Sequence, residues 1–596
     1  MKHPLKHPIG PLAAALLLLL WTALSAEEPK YRSPNHLVVS PDGRFAYAVN
    51  QTADSISVLD IRARTAIDEM PVGPRPSHAD ISPDGRLLYV SNQYGDRVEV
   101  VNLKDRRVVR ALEAEHEPYG VTLSPDGKKL YVAESISDTV SIFDTRNGKR
   151  LSRAHSGRGP RFIARTSDGS KLLVSNGMSR DVSIFAAESG KLLETRGLGK
   201  GALPRQITLS SDGKWAFVVH LISHDEQVPT QPERGRIHSN GVSVLALDRP
   251  GHRVTLCLDK LLAGAANPWG AAVSPDGSRL YVTLAGVHEV AIVDLKKTLA
   301  IVNETSPDKV SILEEDVELL EKRGFARRVT AGGIGPRGAA FSPATGEILV
   351  ANYFSDTVSV LDAETGAVRA VIPLGKPVPM TTWRKGEMLF NDARIGFQHW
   401  FSCASCHQED ATTDGLNWDL TNDGVGNTKN VKSLHDINDT PPAMWHGVRE
   451  DMDAAVQSGQ RFLGFLPDPE NHKALLAFIG NPKRAPNPYG KDRYKGPRER
   501  GRTHFYNARC DACHPPPLFT DQKPHDLGFG KPSDRTPRFD TPTLREVYRT
   551  APYLHDGRAR TLKELFTLHN GDGLHGETRG FSDSEVDELV AYIKSL

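Results

Sequence analysis

The sequence has few cysteines, almost no net charge and no long apolar run after its first segment, and each shortage excludes a class of protein. Five cysteines among 596 residues are too few, and an odd number, for a disulfide framework. Lys and Arg number 74 against 73 Asp and Glu, and the net charge of +1 argues against nucleic acid as a main partner. The ordinary composition predicts a soluble globular protein of several domains, unless repeats enlarge one of them.

The first 26 residues are expected to direct export. Lys2 and Lys6 precede the apolar run 12–21, and Ala-Leu-Ser-Ala ends the segment before Glu27. These are the charged, apolar and small-residue parts of a secretory signal peptide. A membrane anchor is the alternative, but the run is shorter than the roughly 20 residues that a bilayer span needs. We expect residues 1–26 to be removed and the mature protein, without a membrane span, to be exported, in a bacterium to the periplasm.

Residues 31–375 repeat one short pattern seven times. Each copy opens on Ser-Pro-Asp-Gly or a variant of it, continues into a short apolar strand and a polar turn, and closes with a second strand. The copies begin at Ser40, Ser82, Ser124, Thr166, Ser210, Ser274 and Ser342, and the first three steps are each 42 residues long. A period of about 40 to 45 residues with four strands is typical of a β-propeller. The repeats predict a seven-bladed, all-β propeller; a solenoid, the alternative, requires distinct capping repeats at its ends.

Two blades carry insertions, and one of them contains a histidine cluster. His220, His224 and His238 have no cysteine or carboxylate spaced with them, so we interpret them as solvated loop residues rather than metal ligands. The other insertion includes an acidic and apolar stretch, 311–323, that predicts a helix. Cys257 follows a strand-like run and is expected to be a buried free thiol.

The other four cysteines form two motifs of the same type, Cys403-Ala-Ser-Cys406-His407 and Cys510-Asp-Ala-Cys513-His514. In C-x-x-C-H the two thiols attach to the vinyl groups of a haem and the adjacent histidine ligates its iron. Zinc binding and a redox-active dithiol are the alternatives, but both motifs carry the histidine and the chain is expected to be exported, where haem is attached. The sequence predicts two covalent c-type haems, haem 1 on His407 and haem 2 on His514.

A Gly-x-x-x-Phe segment precedes each haem motif, at 386–390 and again at 501–505. This duplication predicts two small, mainly α-helical cytochrome lobes, lobe 1 over residues 384–480 and lobe 2 over residues 500–596. A capping box and an apolar pattern at i, i+3, i+4 and i+7 predict that a helix over Ser582–Leu596 closes lobe 2.

Lobe 2 has no methionine, because all seven methionines of the chain lie before residue 453. Methionine is therefore excluded as the sixth ligand of haem 2. Leu562, Leu565, Phe566 and His569 follow helical spacing, which places His569 on the buried face of a helix. We predict His569 as the sixth ligand of haem 2, with His575 as its substitute.

Residues from about 384 to 596 resemble the di-haem cytochrome c peroxidase and MauG family. The resemblance depends on the two haem motifs and on the segments Asp540-Thr-Pro-Thr-Leu-Arg545 and Thr550-Ala-Pro-Tyr-Leu-His555-Asp-Gly-Arg558. It implies that one haem reacts with peroxide and the other relays electrons. It also implies that the fourteenth residue after His555, which is His569, ligates the relay haem. The repeats likewise resemble the YVTN family of propellers, as Leu130-Tyr131-Val132-Ala133 shows.

The resemblance to the peroxidase family implies two further sites between the lobes. Trp445 corresponds to the tryptophan that the family places between the haems, where it would relay electrons. A calcium ion would be bound by Asn430, Thr550 and the carbonyl of Pro552, since calcium prefers oxygen ligands.

The chain departs from the family at haem 1. No histidine occurs from Gln408 to Lys432, so the sixth position of that iron is expected to be open or filled by His435 or His446. No glutamate occurs near 464–466, where the family places the acid that moves a proton between the peroxide oxygens.

Three functional hypotheses follow. The first is a di-haem oxidoreductase in which haem 1 reacts with peroxide or a similar oxidant and haem 2 exchanges electrons with a small redox protein. In this hypothesis the propeller docks a donor or a protein substrate. The second is a non-enzymatic electron carrier with both irons six-coordinate. The third is a binding module in which the propeller recognises a ligand and the cytochrome part reports the redox state.

Overall fold

The computed structural model describes residues 30–199, 201–225, 237–419 and 427–596. The predicted signal peptide lies outside the described residues. Seven four-stranded antiparallel sheets come first along the chain, and a mainly helical region follows them.

Each blade consists of four strands that are consecutive in sequence and adjacent in the sheet. The strands are, blade by blade, β1–β4 (Pro34–Val39, Phe45–Asn50, Ser55–Asp60, Thr65–Pro71), β5–β8 (Pro76–Ile81, Leu87–Asn92, Arg97–Asn102, Arg107–Glu113), β9–β12 (Pro118–Leu123, Lys129–Glu134, Thr139–Asp144, Arg150–His155), β13–β16 (Pro160–Arg165, Lys171–Asn176, Asp181–Ala186, Leu192–Gly197), β17–β20 (Ala202–Leu209, Trp215–Ser223, His238–Ala246, Arg253–Cys257), β21–β24 (Pro268–Val273, Arg279–Leu284, Glu289–Asp294, Ala326–Thr330) and β25–β28 (Pro336–Ser342, Glu347–Asn352, Thr357–Asp362, Val368–Pro373).

The ring closes between blade 1 and blade 7, where the innermost strands β1 and β25 are neighbours. Asp356 Oδ1 accepts hydrogen bonds from the backbone N–H groups of Arg32 and Ser33 at 3.0 and 2.8 Å. Arg337 Nη1 donates to Asn35 Oδ1 across the same junction at 3.2 Å. None of the described strands is exchanged between these two blades, so side chains and loops hold the ring shut. The seven-bladed propeller is confirmed, and the solenoid alternative is wrong.

The Ser-Pro-Asp-Gly phrase is the turn between the first two strands of a blade. In blade 2, Ser82 Oγ donates to Asp84 Oδ1 at 2.6 Å and accepts from Leu87 N at 2.9 Å. Gly85 has a φ of +71°, which a glycine adopts without steric cost. The serine bond, followed by a backbone N–H, lowers the pKa of Asp84. The repeated residues thus satisfy each other inside the turn.

The described helices lie in the blade-6 insertion and after the propeller. They are α1 Leu295–Glu304, α2 Val310–Glu315, α3 Leu319–Lys322, α4 Thr382–Asn391, α5 Cys403–Cys406, α6 Gln408–Ala411, α7 Met452–Phe462, α8 Pro469–Ile479, α9 Lys495–Asn507, α10 Leu562–Leu568 and α11 Asp583–Lys594. Two short ladders join β29 Asn417–Trp418 to β30 Lys429–Asn430 and β31 Pro524–Asp526 to β32 Arg538–Asp540. The helix predicted over 311–323 is two short helices, α2 and α3. The predicted capping box of α11 is present, with Ser582 as its N-cap.

Two of the insertion histidines are buried rather than solvated, so that expectation was wrong for them. His220 Nε2 lies 2.8 Å from Ser243 Oγ, and His238 Nδ1 lies 2.9 Å from Ser223 Oγ. Burial lowers the pKa of His220 to about 4 and that of His238 to about 3, so both are neutral. Cys257 is a buried free thiol, as predicted.

The Gly-x-x-x-Phe segments allow two close helix crossings. Helix α4 crosses α8, and a Cβ on Gly386 would lie 1.9 Å from the Ala474 carbonyl oxygen. Helix α9 crosses α11, and a Cβ on Gly501 would lie 1.8 Å from the Glu588 carbonyl oxygen. The phenylalanine one turn later is buried in both lobes. The duplicated motif therefore fixes the same helix pair beside each haem-attachment segment.

We expect Gly386→Ala to lower the free energy of unfolding by about 1 to 3 kcal/mol or more, because the new methyl group forces α4 away from α8. Chemical denaturation of the haem-loaded protein measures this loss. Gly459→Ala in α7 is the matched control, since its Cβ would meet no atom within 4 Å. That variant is expected to be unchanged or stabilised by up to about 1 kcal/mol. Equal effects at the two positions would contradict the crossing argument.

Candidate functional site

The histidines of the two haem motifs have the same local geometry. His407 Nδ1 lies 3.3 Å from the Thr412 carbonyl oxygen, and His514 Nδ1 lies 2.9 Å from the Phe519 carbonyl oxygen. Each carbonyl is five residues after its histidine, and it fixes the tautomer in which Nδ1 carries the proton. Nε2 is then the nitrogen available to a metal, so both histidines fit the predicted role as haem ligands.

The four motif cysteines are reduced and unpaired. Burial raises the pKa of the Cys403 thiol to about 12. Burial is also the largest cause that raises the pKa of the Cys510 thiol to about 12. Among the described residues, the one group with metal-ligand spacing is Cys513, Asp521 and His525, which draws on a single cysteine. The geometry therefore favours covalent haem attachment over a zinc site shared by the motifs.

His575 faces His514 across a gap in lobe 2. The two ring centres are 6.4 Å apart, and the ring planes are inclined by 53°. Two imidazoles that share one metal ion, each with a metal–nitrogen distance of about 2 Å, have ring centres about 6.3 Å apart. Burial, followed by the charge of His514, lowers the pKa of His575 to about 4, and its buried Nδ1 has no hydrogen-bond partner. This neutral, incompletely bonded histidine fits the sixth position of haem 2.

His569 does not stand opposite His514. The predicted helix forms, and Leu562 and Leu565 are buried as expected, but α10 ends at Leu568 and His569 is its C-cap residue. No ring contact joins His569 to His514 in the described part of the chain. His569 as the sixth ligand therefore stays a prediction, and His575 is the histidine whose ring lies close to that of His514.

Among the residues that the structure describes, no second histidine ring contacts His407. His435 Nδ1 lies 2.5 Å from Glu546 Oε2, in lobe 2. His446 Nδ1 lies 3.1 Å from the Arg538 carbonyl oxygen. Neither ring contacts His407, and within the described residues no aromatic ring contact involves His407. The two haem sites therefore differ in the protein ligands that they offer.

Two carboxylates, one on each side of the position of the missing family acid, have other partners. Asp453 Oδ1 lies 2.5 Å from His472 Nε2, and Asp468 caps α8 by accepting from the Glu470 and Asn471 N–H groups. Glu387 also has a partner, since Arg384 Nη1 donates to its Oε2 at 2.6 Å, but it lines a cavity together with His407. Glu387 directly follows the glycine of the Gly-x-x-x-Phe motif, and this position next to the motif was the feature of the sequence that could have indicated the residue.

Trp445 lies between the lobes. Its Nε1 donates to the Asn430 carbonyl oxygen at 2.6 Å, and the Lys432 ammonium lies 5.4 Å from a ring centre. The His555 ring of lobe 2 meets it edge to face, with centres 6.5 Å apart. The tryptophan is thus bonded to lobe 1 and in contact with lobe 2, in keeping with the relay position that the resemblance implies.

A second internal duplication explains that contact. Ala443 and Arg449 pair across a tight turn in lobe 1, and Tyr553 and Ala559 pair across the same turn in lobe 2. Trp445 occupies the third position of the first turn, and the facing His555 occupies the third position of the second. The repeated Pro-x-x-x-x-Gly spacing, 442–447 and 552–557, could have shown this relation in the sequence.

Asn430 and Pro552, two of the three residues predicted to bind calcium, are neighbours, although the atoms in contact are not their oxygen atoms. Asn430 Nδ2 and Pro552 Cγ both lie about 3 Å from the position of a Cβ on Gly557. The Thr550 hydroxyl donates to the Val547 carbonyl oxygen at 3.1 Å. Asn430 and Pro552 are neighbours, while the threonine is engaged in its own turn.

The propeller holds the haem 1 motif directly, which the sequence did not indicate. Asn267 bonds to the N-cap and to the third residue of the motif helix, donating to Ser402 Oγ at 2.9 Å and accepting from Ser405 Oγ at 3.1 Å. His238 Nε2 lies 3.3 Å from Cys406 Sγ. Arg180 donates to the Gly415 carbonyl oxygen at 2.7 Å. The attachment segment of haem 1 is therefore clamped by blades 4 to 6.

A buried carboxyl group close to this clamp gives a test by pH. Asp414 accepts from Leu416 N and Trp418 Nε1, and burial raises its pKa to about 7. An aspartate in the unfolded chain has a pKa of about 4. At a pH between about 4 and 7, the unfolded chain therefore loses a proton that Asp414 keeps in the folded protein. The free energy of unfolding should therefore fall as the pH rises from about 4 to 7. We expect Asp414→Asn to flatten this part of the profile of the thermal midpoint against pH; an unchanged slope would refute the assignment.

Two family models match stretches of the chain, one in the propeller and one in lobe 1. Residues 21–114 and 107–201 match the model for the seven-bladed β-propeller lactonase family. Residues 382–465 match the model for di-haem cytochrome c peroxidase. The predicted fold class, a seven-bladed propeller followed by a largely helical region of the peroxidase and MauG type, is confirmed. The second match implies haem c as the cofactor.

Individual relatives are redox enzymes or their subunits. Hydrazine synthase subunit gamma of Kuenenia stuttgartiensis is 29% identical over 272 residues, which cover 36% of this chain and 77% of that protein. The methylamine utilization protein MauG of Methylophilus methylotrophus is 25% identical over 283 residues, covering 38% of this chain and 84% of its own. A solved structure of Kuenenia stuttgartiensis hydrazine synthase covers 56% of this chain and 97% of that chain, with a TM-score of 0.54 and 29% identity. These relatives indicate an oxidoreductase at the level of the family.

None of the helices that the structure describes is both long enough and apolar enough to cross a membrane.

Proposed function

We propose that the protein is a periplasmic di-haem oxidoreductase in which haem 1 reacts with peroxide or a related oxidant and haem 2 relays electrons. The observation that carries this proposal is the asymmetry of the two sites. His514 faces a second imidazole at 6.4 Å, whereas His407 contacts no other histidine among the described residues. A haem with two protein ligands transfers electrons, and one with an open position can bind and activate an oxidant.

The residues of the chain have distinct parts in this proposal. The two cysteine pairs hold the haems covalently, and the Thr412 and Phe519 carbonyl groups orient His407 and His514 through their Nδ1 protons. Trp445, bonded to lobe 1 and in contact with His555 of lobe 2, is the relay between the sites. A small redox protein supplies or accepts the electrons.

Export and calcium belong to the same proposal. The signal sequence of residues 1–26 and the need for haem attachment outside the cytoplasm support a periplasmic location. A calcium ion held by oxygen atoms of Asn430, Thr550 and Pro552 would stabilise the contact between the lobes. In that case the Thr550 hydroxyl turns from the Val547 carbonyl oxygen toward the ion.

A non-enzymatic electron carrier is the second candidate, and one observation favours it. Asp453 and Asp468, the carboxylates on either side of the position of the family acid, are bonded to His472 and to the start of α8. Proton transfer to a leaving oxygen requires a free acid or base within reach. In this candidate the propeller serves as the module that binds a partner protein.

Spectroscopy of the purified haem-loaded protein separates the two candidates. Absorption and electron paramagnetic resonance spectra are recorded in the oxidised and half-reduced states, and peroxide is then added. The oxidoreductase is expected to show one high-spin and one low-spin haem, with peroxide altering the high-spin signal first. Two low-spin haems that leave peroxide unconsumed would instead establish the carrier.

A further inference from the structure

Tyr494, in the segment that connects the two lobes, is hydrogen-bonded to a buried histidine of the propeller. Its hydroxyl lies 2.7 Å from His116 Nε2, and His116 Nδ1 lies 2.8 Å from Asp96 Oδ2. His116 and Asp96 are both buried. Because Asp96 accepts the proton on Nδ1, Nε2 is the nitrogen that accepts from the tyrosine hydroxyl. A phenol, an imidazole and a carboxylate thus follow one another in a hydrogen-bonded series.

Charged groups surround this series on both sides. Burial raises the pKa of Asp96, but the hydrogen bonds from His116 and Lys491 outweigh it, so the pKa is lowered and the carboxyl group is ionised. Lys491 Nζ lies 2.7 Å from Asp96 Oδ2, and Arg493 Nη2 lies 2.7 Å from His116 Nε2. The carboxylate at one ring nitrogen offsets the guanidinium beside the other. The imidazole can therefore take up a proton and release it again.

The Tyr494 hydroxyl is the group of the series that can lose an electron. Burial is the largest cause that raises the pKa of Tyr494, so the resting phenol keeps its proton. A phenol that loses an electron becomes a strong acid, and a base at hydrogen-bond distance can take the proton. His116 Nε2, at 2.7 Å, meets this condition. Tyr494 therefore has the partner that a reversible one-electron oxidation requires.

Two further tyrosine rings connect Tyr494 to the core of lobe 2. The ring centres of Tyr494 and Tyr489 are 5.3 Å apart, and those of Tyr489 and Tyr548 are 5.6 Å apart. Val547, the residue before Tyr548, belongs to the buried cluster against which Cys510 of the haem 2 motif packs. Rings at these separations are in contact, and electron transfer is fast between groups in contact because its rate falls steeply with distance. The three tyrosines form a continuous row from the propeller to lobe 2.

We propose that Tyr494 is a redox-active tyrosine through which electrons enter lobe 2, with His116 as its proton acceptor. This inference rests on the proposed function, because the oxidant is the haem pair from which peroxide has taken two electrons. The half-buried Tyr494 is in reach of a donor at the surface, while its hydroxyl is bonded to the buried histidine. A merely structural hydrogen bond would hold the connecting segment on the propeller without any such oxidation.

The step balances in electrons and protons. Tyr494 gives up one electron, which passes through the rings of Tyr489 and Tyr548, and its hydroxyl proton moves to His116 Nε2. The O–H bond breaks, an N–H bond forms, and a neutral phenoxyl radical is left. A one-electron donor, the small redox protein of the proposed function, then reduces the radical, and His116 returns the proton. Two such cycles supply the two electrons that, with two protons from the solvent, reduce one peroxide to two molecules of water.

Rapid freezing of the haem-loaded full-length protein after addition of peroxide tests the inference. Absorption spectra show whether the haems have reacted, and electron paramagnetic resonance shows whether a tyrosyl radical has formed. We expect a tyrosyl signal in the parent protein that Tyr494→Phe abolishes while its haems still react. His116→Gln keeps a hydrogen-bond acceptor but no base, so it should slow the formation of the radical by about 100-fold, within the contribution of a positioned proton acceptor.

Tyr506→Phe is the matched control. Tyr506 lies in α9, shortly after the connecting segment, and is 39% exposed, and its ring contacts Phe505 rather than the row of tyrosines. This variant should form the radical in unchanged yield and at an unchanged rate. Haems that react with peroxide without producing a radical on Tyr494 would overturn the inference. So would a tyrosyl signal that persists in Tyr494→Phe.

A second oxidant separates failure of this inference from failure of the proposed function. If peroxide leaves the haems unchanged, the proposed function is refuted, and a ruthenium tris-bipyridine complex oxidised by a light flash replaces peroxide. The transient tyrosyl absorption that Tyr494→Phe removes should then form about 100-fold more slowly in His116→Gln. A transient that neither substitution alters would overturn the role of Tyr494 without reference to peroxide.

Discussion

Replacing His575 by alanine is expected to convert haem 2 from low spin to high spin. The His575 ring is the one that faces His514, at the 6.4 Å separation of two imidazoles on a common metal ion. Without it the iron keeps a single protein ligand, so the low-spin signal of that haem should be lost in full. Electron paramagnetic resonance and absorption spectra of the oxidised protein measure the change.

His569→Ala is the matched control, because it removes a histidine six residues earlier that caps α10 without a ring contact to His514. We expect its spectra to equal those of the parent protein. If His569→Ala converts haem 2 and His575→Ala does not, the family position is the ligand and the geometric assignment is refuted. If neither variant changes the spectra, haem 2 has no histidine sixth ligand from this segment.

Replacing Arg384 by methionine is expected to lower the free energy of unfolding by about 3 to 5 kcal/mol. Arg384 of α4 is 1% exposed, forms an ion pair with Glu387 and donates to Ser33 Oγ and the Tyr353 carbonyl oxygen at 2.8 and 2.9 Å. The substitution leaves the Glu387 carboxylate in a mostly buried place without its partner, which is the costly way to break a buried pair. Denaturant unfolding of the haem-loaded protein measures the loss.

Two variants make this prediction specific. Arg384→Met combined with Glu387→Leu should recover most of the lost stability, because no unpaired charge is left. Arg500→Met is the matched control, because it breaks the ion pair between Glu588 and Arg500, whose side chain is 60% exposed. This substitution should lower the free energy of unfolding by less than about 1 kcal/mol. A double variant as unstable as Arg384→Met alone would show that the hydrogen bonds to the propeller, rather than the charge pair, dominate.

The propeller could be predicted from the sequence because its signal is repeated. The 42-residue period and the Ser-Pro-Asp-Gly turn depend on local backbone chemistry, which is the same in each blade. The haem-attachment motifs are equally local, since a few consecutive residues set the position of the histidine. His575 shows where such reasoning ends. Its position opposite His514 depends on where α10 ends and on the path of the following loop, and a helical pattern predicts neither.

The contacts between propeller and lobes could not be predicted for a related reason. Arg384 lies in an amphipathic helix, and nothing in its neighbours shows that a propeller rather than water surrounds it. Long-range packing, rather than local propensity, decides these positions.

The closure of the ring without strand exchange has a consequence for cooperativity. Arg384 bonds to Ser33, before the first blade, and to Tyr353, in the last blade, so a helix of lobe 1 bridges the junction at which the ring could open. A propeller cut from the chain near residue 375 would lack this bridge. We therefore expect the propeller and lobe 1 to unfold in a single transition. The reason is that α4, the helix after the last blade, connects the first and last blades, which the described strands do not join by strand exchange.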